Sequence, residues 1–298
     1  MEKRQFGKTD MQVSVLGFGG AEIGFEGAPV ESVSELLNKA LDAGLNVIDT
    51  ASAYLVSEEL IGQAVAGRRN DFYLFSKCGA TDGFTKADWS KTGILSHIER
   101  SLNALRTDYL DLIQLHSCSE AELRKGEVIE ALTEARQKGY ARYIGYSGDG
   151  VAARYAIESG HFDALQTSVN IADQEAIELT LPLAAHRQLG VIAKRPIANA
   201  VWRRPTKPEN SYHHTYWDRI QVLAYDFLNQ DMNTSVSIAL RFTLSQPGVH
   251  TAIVGTTNPN RWRENAALVA AGPLSPEAIE QIRARWHEVA DSAWVGQV

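Results

Sequence analysis

The chain is poor in several things, and each shortage removes a class of function. Only two cysteines, Cys78 and Cys118, stand in 298 residues, too few for a disulfide framework and without zinc-like spacing. No run approaches the roughly 18 apolar residues of a membrane helix. The N-terminal MEKRQFGKTD is charged with no apolar stretch behind it, so no signal peptide is expected. Basic excess is missing as well: 29 Lys and Arg against 36 Asp and Glu leave a formal charge of −7, which argues against nucleic acid as a partner. Low-complexity tracts, charge blocks and Pro/Gly-rich linkers are absent from the sequence. These shortages point to a cytoplasmic chain, with no membrane association, folded as a single domain over residues 1–298.

Apolar material is ample, at 44 % of residues against 22 % charged, enough for a sizeable core. Short apolar runs alternate with longer amphipathic ones along the whole chain. After an N-terminal hairpin over about Arg4–Val15, the apolar runs are VSVLGFGG, LNVID, FYLFSK, LDLIQLH, ARYIGYS, DALQTSV, GVIAK and VHTAIV. Between them the spacing predicts helices over about Ser32–Ala43, Ser57–Ala66, Ala87–Leu105 and Glu120–Lys138, one ending at Gly160, one ending at Leu189, and one over Thr234–Ser245. Ser57 and the glutamates behind it are read as an N-terminal cap. An eighth helix beginning near Asn258 and an amphipathic segment over about Pro276–Ala290 close the chain. Continuous apolar strands suit a parallel sheet buried on both faces. Eight such units fit an α/β (β/α)8 TIM barrel, with an N-terminal hairpin and a C-terminal helical segment. LGFGGAEIG does not match the GxGxxG turn of an open dinucleotide-binding sheet.

Barrel enzymes work at the C-terminal ends of their strands. Asp49, Lys77, His116 and Ser147 end strands there, Tyr54 follows the second strand, and Gln166 and Asn170 belong to the sixth. Singly, each has an ordinary reading: an Asp capping a loop, a hydrogen-bonded structural His, a packing Tyr. Lys77 resists it, because a lysine ending an apolar strand is costly to bury unpaired.

Taken together, the residues resemble the aldo-keto reductase family over nearly the whole chain. The likeness rests on DTASAY at 49–54 followed by SEELIG, SK at 76–77, DLIQLH at 111–116, GYS at 145–147 and IVGTTNPNRWREN at 253–265. It implies reduction of an aldehyde or ketone, or the reverse oxidation of an alcohol or sugar, by hydride transfer from a nicotinamide cofactor. The family's tetrad matches Asp49, Tyr54, Lys77 and His116. Tyr54 is then the general acid, with the Lys77 ammonium expected to lower its pKa, Asp49 to hold Lys77, and His116 to orient the carbonyl.

The likeness also supplies a cofactor site. Ser147 and Gln166 match the residues on the nicotinamide carboxamide, with Gly148 where many members carry Asn. Lys194 and Arg195 follow the seventh strand, suited to a pyrophosphate or, for the flat guanidinium of Arg195, to stacking on the ring. Gly255 and Thr256 open a helix N-terminus suited to phosphate. Arg261 matches the arginine on a ribose 2′-phosphate, and Glu264 and Asn265 match residues on adenine. NADP is therefore the expected cofactor, with NAD as the alternative; no metal is expected. The partner is a small-molecule carbonyl substrate. The long connection after the seventh strand, with Trp202, Tyr212, Tyr216 and Trp217, either walls the substrate, with Tyr212, Trp217 or Trp294 folding over the cofactor, or packs these aromatics against the barrel or into an oligomer contact. The competing reading is a nicotinamide-binding regulatory subunit with little turnover.

Overall fold

The computed structural model describes residues 1–297. An antiparallel hairpin, β1 (Lys3–Gln5) and β2 (Gln12–Ser14), precedes the first barrel strand β3 (Leu16–Gly19). Helices α1 (Ala21–Phe25) and α2 (Val30–Asp42), strand β4 (Val47–Asp49) and helix α3 (Ser57–Ala64) follow. Strand β5 (Tyr73–Cys78) leads into a small excursion, β6 (Ala80–Thr81) and β7 (Lys86–Ala87), before α4 (Lys91–Leu105). Next come β8 (Leu110–His116), α5 (Glu120–Lys125), α6 (Glu127–Gln137), β9 (Ala141–Ser147) and α7 (Gly150–Ser159). They are followed by β10 (Ala164–Ser168), α8 (Glu175–Leu179), α9 (Leu181–His186) and β11 (Gly190–Lys194). The chain ends with α10 (His214–Leu223), α11 (Met232–Leu244), β12 (Thr251–Gly255), α12 (Arg261–Val269) and α13 (Pro276–Val289).

The strands close in the order β3-β4-β5-β8-β9-β10-β11-β12, with β12 returning to pair with β3 in parallel. This is the predicted (β/α)8 barrel. The hairpin stoppers the end where the strands begin. Phe6, Met11 and Val13 are fully buried and cluster with Phe75, Leu112 and Ile192 of the barrel interior, and the Phe6 ring rests on Gly190, the first residue of β11. The opposite end, where the strands finish, stays polar. A second apolar cluster forms from the segment after β11, α11 and α13, around Tyr216, Phe242 and Trp286.

Several helices differ from the sequence pattern. The fourth predicted helix is two, because Gly126 adopts a left-handed φ of 82° between α5 and α6. The sixth is broken at Thr180, ahead of the proline in the first turn of α9. Helix α1 has too few residues to show a period. Ser57 does not cap α3: it lies inside the helix, pairs with Thr50 Oγ1 at 2.8 Å and donates to the Gly20 carbonyl at 2.7 Å. That bond ties α3 to the loop after β3. Gly24 of α1 packs so closely on the Tyr54 turn that a Cβ there would lie 2.0 Å from the Tyr54 carbonyl oxygen.

Candidate active site

Three strand ends and one turn meet in the barrel mouth. Lys77 is wholly buried at the end of β5, and its Nζ donates to Asp49 Oδ2 at 2.5 Å, to the Thr50 carbonyl at 2.9 Å and to Tyr54 Oη at 3.5 Å. The ammonium also lies 5.0 Å from the Tyr54 ring centre. Tyr54 stands in the turn before α3, where Leu55 takes a left-handed φ of 49°. The His116 ring meets the Tyr54 ring edge-on, 5.4 Å between centres. The four expected residues thus converge. Asp49 is held from its other side by Gln166 Nε2 at 2.9 Å and Gln114 Nε2 at 3.3 Å.

Burial sets the charge states. It would lower the Lys77 pKa, but Asp49 and Tyr54 outweigh it and hold the lysine above its ordinary value, so it is an ammonium. Burial, and the positive charges of Lys77, Lys194 and Arg195, push His116 well below its ordinary pKa, so its imidazole is neutral. For Tyr54 the direction differs from expectation: burial raises its pKa, and the opposing pull of Lys77 does not overcome it. The phenol therefore keeps its proton.

Ser147 and Gln166 face each other in register across β9 and β10, the serine Oγ donating to Gln166 Oε1 at 3.3 Å. Lys194 departs from its expected place along a pyrophosphate. It is buried, and its Nζ forms an ion pair with Asp149 Oδ2 at 2.7 Å. Asp149, overlooked in the sequence, also accepts from Thr167 Oγ1 at 2.7 Å and the Ser168 amide at 2.6 Å. Arg195 has a left-handed φ of 54°. Its Nε donates to Tyr212 Oη at 2.7 Å and its Nη1 to Ser168 Oγ at 3.0 Å, while among the described residues Nη2 has no protein acceptor.

Beside β11, its partner strand β12 ends at Gly255, in register with Gly19. Thr256 Oγ1 accepts from the Asn258 amide at 3.0 Å. Helix α12 begins at Arg261 without a side-chain cap, which leaves first-turn N–H groups for an anion. Arg261 is half-exposed and paired with Glu264 at 2.7 Å, and Asn265 is buried. A guanidinium edge after β11, unbonded among the described residues, and an uncapped helix after the neighbouring strand β12 suit a nicotinamide dinucleotide. Among the described residues no cluster of His, Cys, Asp and Glu suits a metal ion, and no helix is long and apolar enough to cross a membrane.

Of the aromatics after β11, Tyr212 stays exposed at the mouth, its hydroxyl accepting from Arg195 Nε at 2.7 Å, and the others pack inward. Trp202 and Trp217 pack into the second apolar cluster, Tyr216 is buried with its hydroxyl on Asp173 at 2.9 Å, and Trp294 lies edge-on to Trp286 at 5.2 Å. Instead Phe84 approaches His116 at 4.8 Å between ring centres, and Phe25 approaches Tyr54 at 5.9 Å. Both phenylalanines are exposed. Each lies six residues beyond the last barrel-strand residue, Gly19 or Cys78, a placement that could have marked them in the sequence.

The sequence model of the Aldo/keto reductase family matches residues 15–287. An uncharacterized oxidoreductase, YqkF, from Bacillus subtilis (strain 168) is 30% identical over 300 residues, covering 95% of this chain and 96% of its own. A probable voltage-gated potassium channel subunit beta from Arabidopsis thaliana is 25% identical, with 95% of each chain covered. Among solved structures, the holo form of the aldo-keto reductase AKR11C1 from Bacillus halodurans superposes with a TM-score of 0.83 at 30% identity, covering 96% of both chains. With the family model spanning most of its length and the barrel closed as in that structure, this chain belongs to the aldo/keto reductase family.

Proposed function

We propose that the chain, acting as one barrel domain over residues 1–298 in the cytoplasm, is an NADP-dependent oxidoreductase that reduces an aldehyde or ketone, with Tyr54 as proton donor. The observation that carries this reading is the Lys77 ammonium, bonded at once to Asp49 at 2.5 Å and Tyr54 at 3.5 Å beside a neutral His116. The bound cofactor supplies the hydride. The chain's residues handle the oxygen. His116, neutral, donates one N–H to the carbonyl oxygen and orients it. Tyr54 transfers its phenolic proton to that oxygen as the alcohol forms. Lys77 stabilises the tyrosinate left behind, and Asp49 keeps Lys77 charged and in place. Run backwards, the same groups oxidise an alcohol or sugar.

Ser147 and Gln166 would hold the carboxamide, and Arg195 the nicotinamide or its phosphates. Gly255, Thr256, Arg261, Glu264 and Asn265 would hold the adenosine end, with Arg261 gripping a 2′-phosphate. Lys194 contributes by neutralising Asp149 beneath the site. Phe25 and Phe84 give the substrate cleft an apolar wall.

The resemblance to a potassium channel subunit favours a second reading, cofactor binding with little turnover. One experiment separates them. Purified protein is titrated with NADPH and with NADH, then given a panel of aldehydes, ketones and sugars while cofactor absorbance is followed. Turnover supports the oxidoreductase. Tight binding with no turnover in either direction supports the binding subunit.

A further inference from the structure

We propose that the C-terminal segment 295–297 is a clamp that sets Arg195 for the cofactor, making this segment a positioning element of the site. The inference rests on the reading above that Arg195 touches the cofactor.

The segment folds back into the barrel mouth through main-chain bonds. The Gln297 carbonyl accepts from Arg195 Nη1 at 2.5 Å and from Ser168 Oγ at 3.1 Å. The Gln297 amide donates to Asp173 Oδ2 at 3.1 Å, and the Gly296 amide to Glu175 Oε2 at 2.6 Å. The Val295 carbonyl accepts from Arg219 Nη2 at 2.8 Å. Arg219 is 4% exposed, and its guanidinium lies 5.3 Å from the Trp294 ring centre and 6.0 Å from that of Trp286. A buried arginine beside a pair of touching indoles therefore anchors the segment just before it reaches the mouth.

The clamp is specific to one edge of Arg195. Tyr212, Ser168 and Gln297 take up Nε and both Nη1 hydrogens, while Nη2 is left without a protein acceptor among the described residues. Three acceptors on a rigid planar fork fix its plane and direction. The left-handed φ of 54° at Arg195 fits this, because a non-glycine residue stays there only where its surroundings over-determine it. Gly296 lets the segment lie flat: a Cβ there would be 2.6 Å from Asp149 Cβ.

The bonds to the segment come from its backbone, so a shape change tests it better than a polar swap. Gly296→Val should lift the segment off Asp149 without touching Arg195 itself. The dissociation constant of NADPH is measured by its fluorescence for wild type, Arg195→Ala, Gly296→Val and the double variant, with thermal unfolding as a fold control. Deletion of the chain from residue 295 onward serves as a second variant. Gly296→Val is expected to weaken NADPH binding roughly tenfold, the size of one lost hydrogen bond to a charged group. In the Arg195→Ala background it should have no further effect. Unchanged binding in both tail variants overturns the proposal, and so does a full additional loss on top of Arg195→Ala. If Arg195→Ala alone leaves NADPH binding intact, the assignment of Arg195 to the cofactor fails first.

Discussion

Lys77 shows how burial and pairing decide a residue's chemistry. A wholly buried ammonium survives only because Asp49, the Thr50 carbonyl and Tyr54 surround it. Lys77→Met should abolish turnover and cost roughly 3 kcal/mol of stability, since it strands the Asp49 charge. Adding Asp49→Asn should recover most of the stability and none of the turnover; denaturant unfolding beside a rate assay checks both. Glu58 behaves differently. It is buried next to Ser76, whose hydroxyl donates to its Oε1 at 2.5 Å, and burial pushes its pKa up to about 7. An unfolded glutamate titrates near about 4.3. The native state thus keeps a proton that the unfolded state releases between those values, and stability falls as pH rises through that window. Glu58→Gln removes the penalty. Its stability relative to wild type should be greater at pH 8 than at pH 5 by roughly 2 kcal/mol; equal differences at the two pH values would contradict the account.

At the scale of elements, the site depends on how α1 supports the Tyr54 turn. Gly24 admits that contact, and Ser57 bolts α3 to Gly20. Gly24→Ala should push the turn outward and lower kcat at least tenfold with little change in cofactor affinity, since a positioned general acid contributes about 10²–10⁴-fold. Phe84→Ala removes the ring over His116 and should raise KM for aromatic and long-chain carbonyls more than for methylglyoxal-sized ones; an equal rise across a size series would contradict a substrate role. These elements are also where the sequence was hardest to read. The strands were legible because short continuous apolar runs alternate with longer amphipathic ones eight times along the chain. Helix α1 was not, having five residues, fewer than the two turns over which a 3.6-residue repeat shows. The aromatics after β11 divide between wall and core because composition alone does not tell the two apart: Tyr216 shares with Ile220 and Leu223 the 3.6-residue face of α10 that turns inward, while Tyr212 stays exposed at the mouth.

At the scale of the molecule, the closed barrel brings residues far apart in sequence to one rim, 117 positions apart for Asp49 and Gln166. Strand ends could be read from the sequence, and with them the meeting of the four expected residues. What the ion pairs do at that rim could not. Lys194, suited by sequence to a pyrophosphate, pairs with Asp149, which stands two residues past the end of β9 on a different segment. Cys78 and Cys118 take no part in the site: burial raises both thiol pKa values, that of Cys118 to about 12, which leaves them unreactive. The central claim is that Tyr54 gives the proton. Steady-state reduction of an aldehyde by NADPH should fall by about 10²–10⁴-fold in Tyr54→Phe, while the NADPH dissociation constant stays within a factor of two or so of wild type, a change well below one kcal/mol. Turnover in Tyr54→Phe at or near the wild-type rate would contradict it.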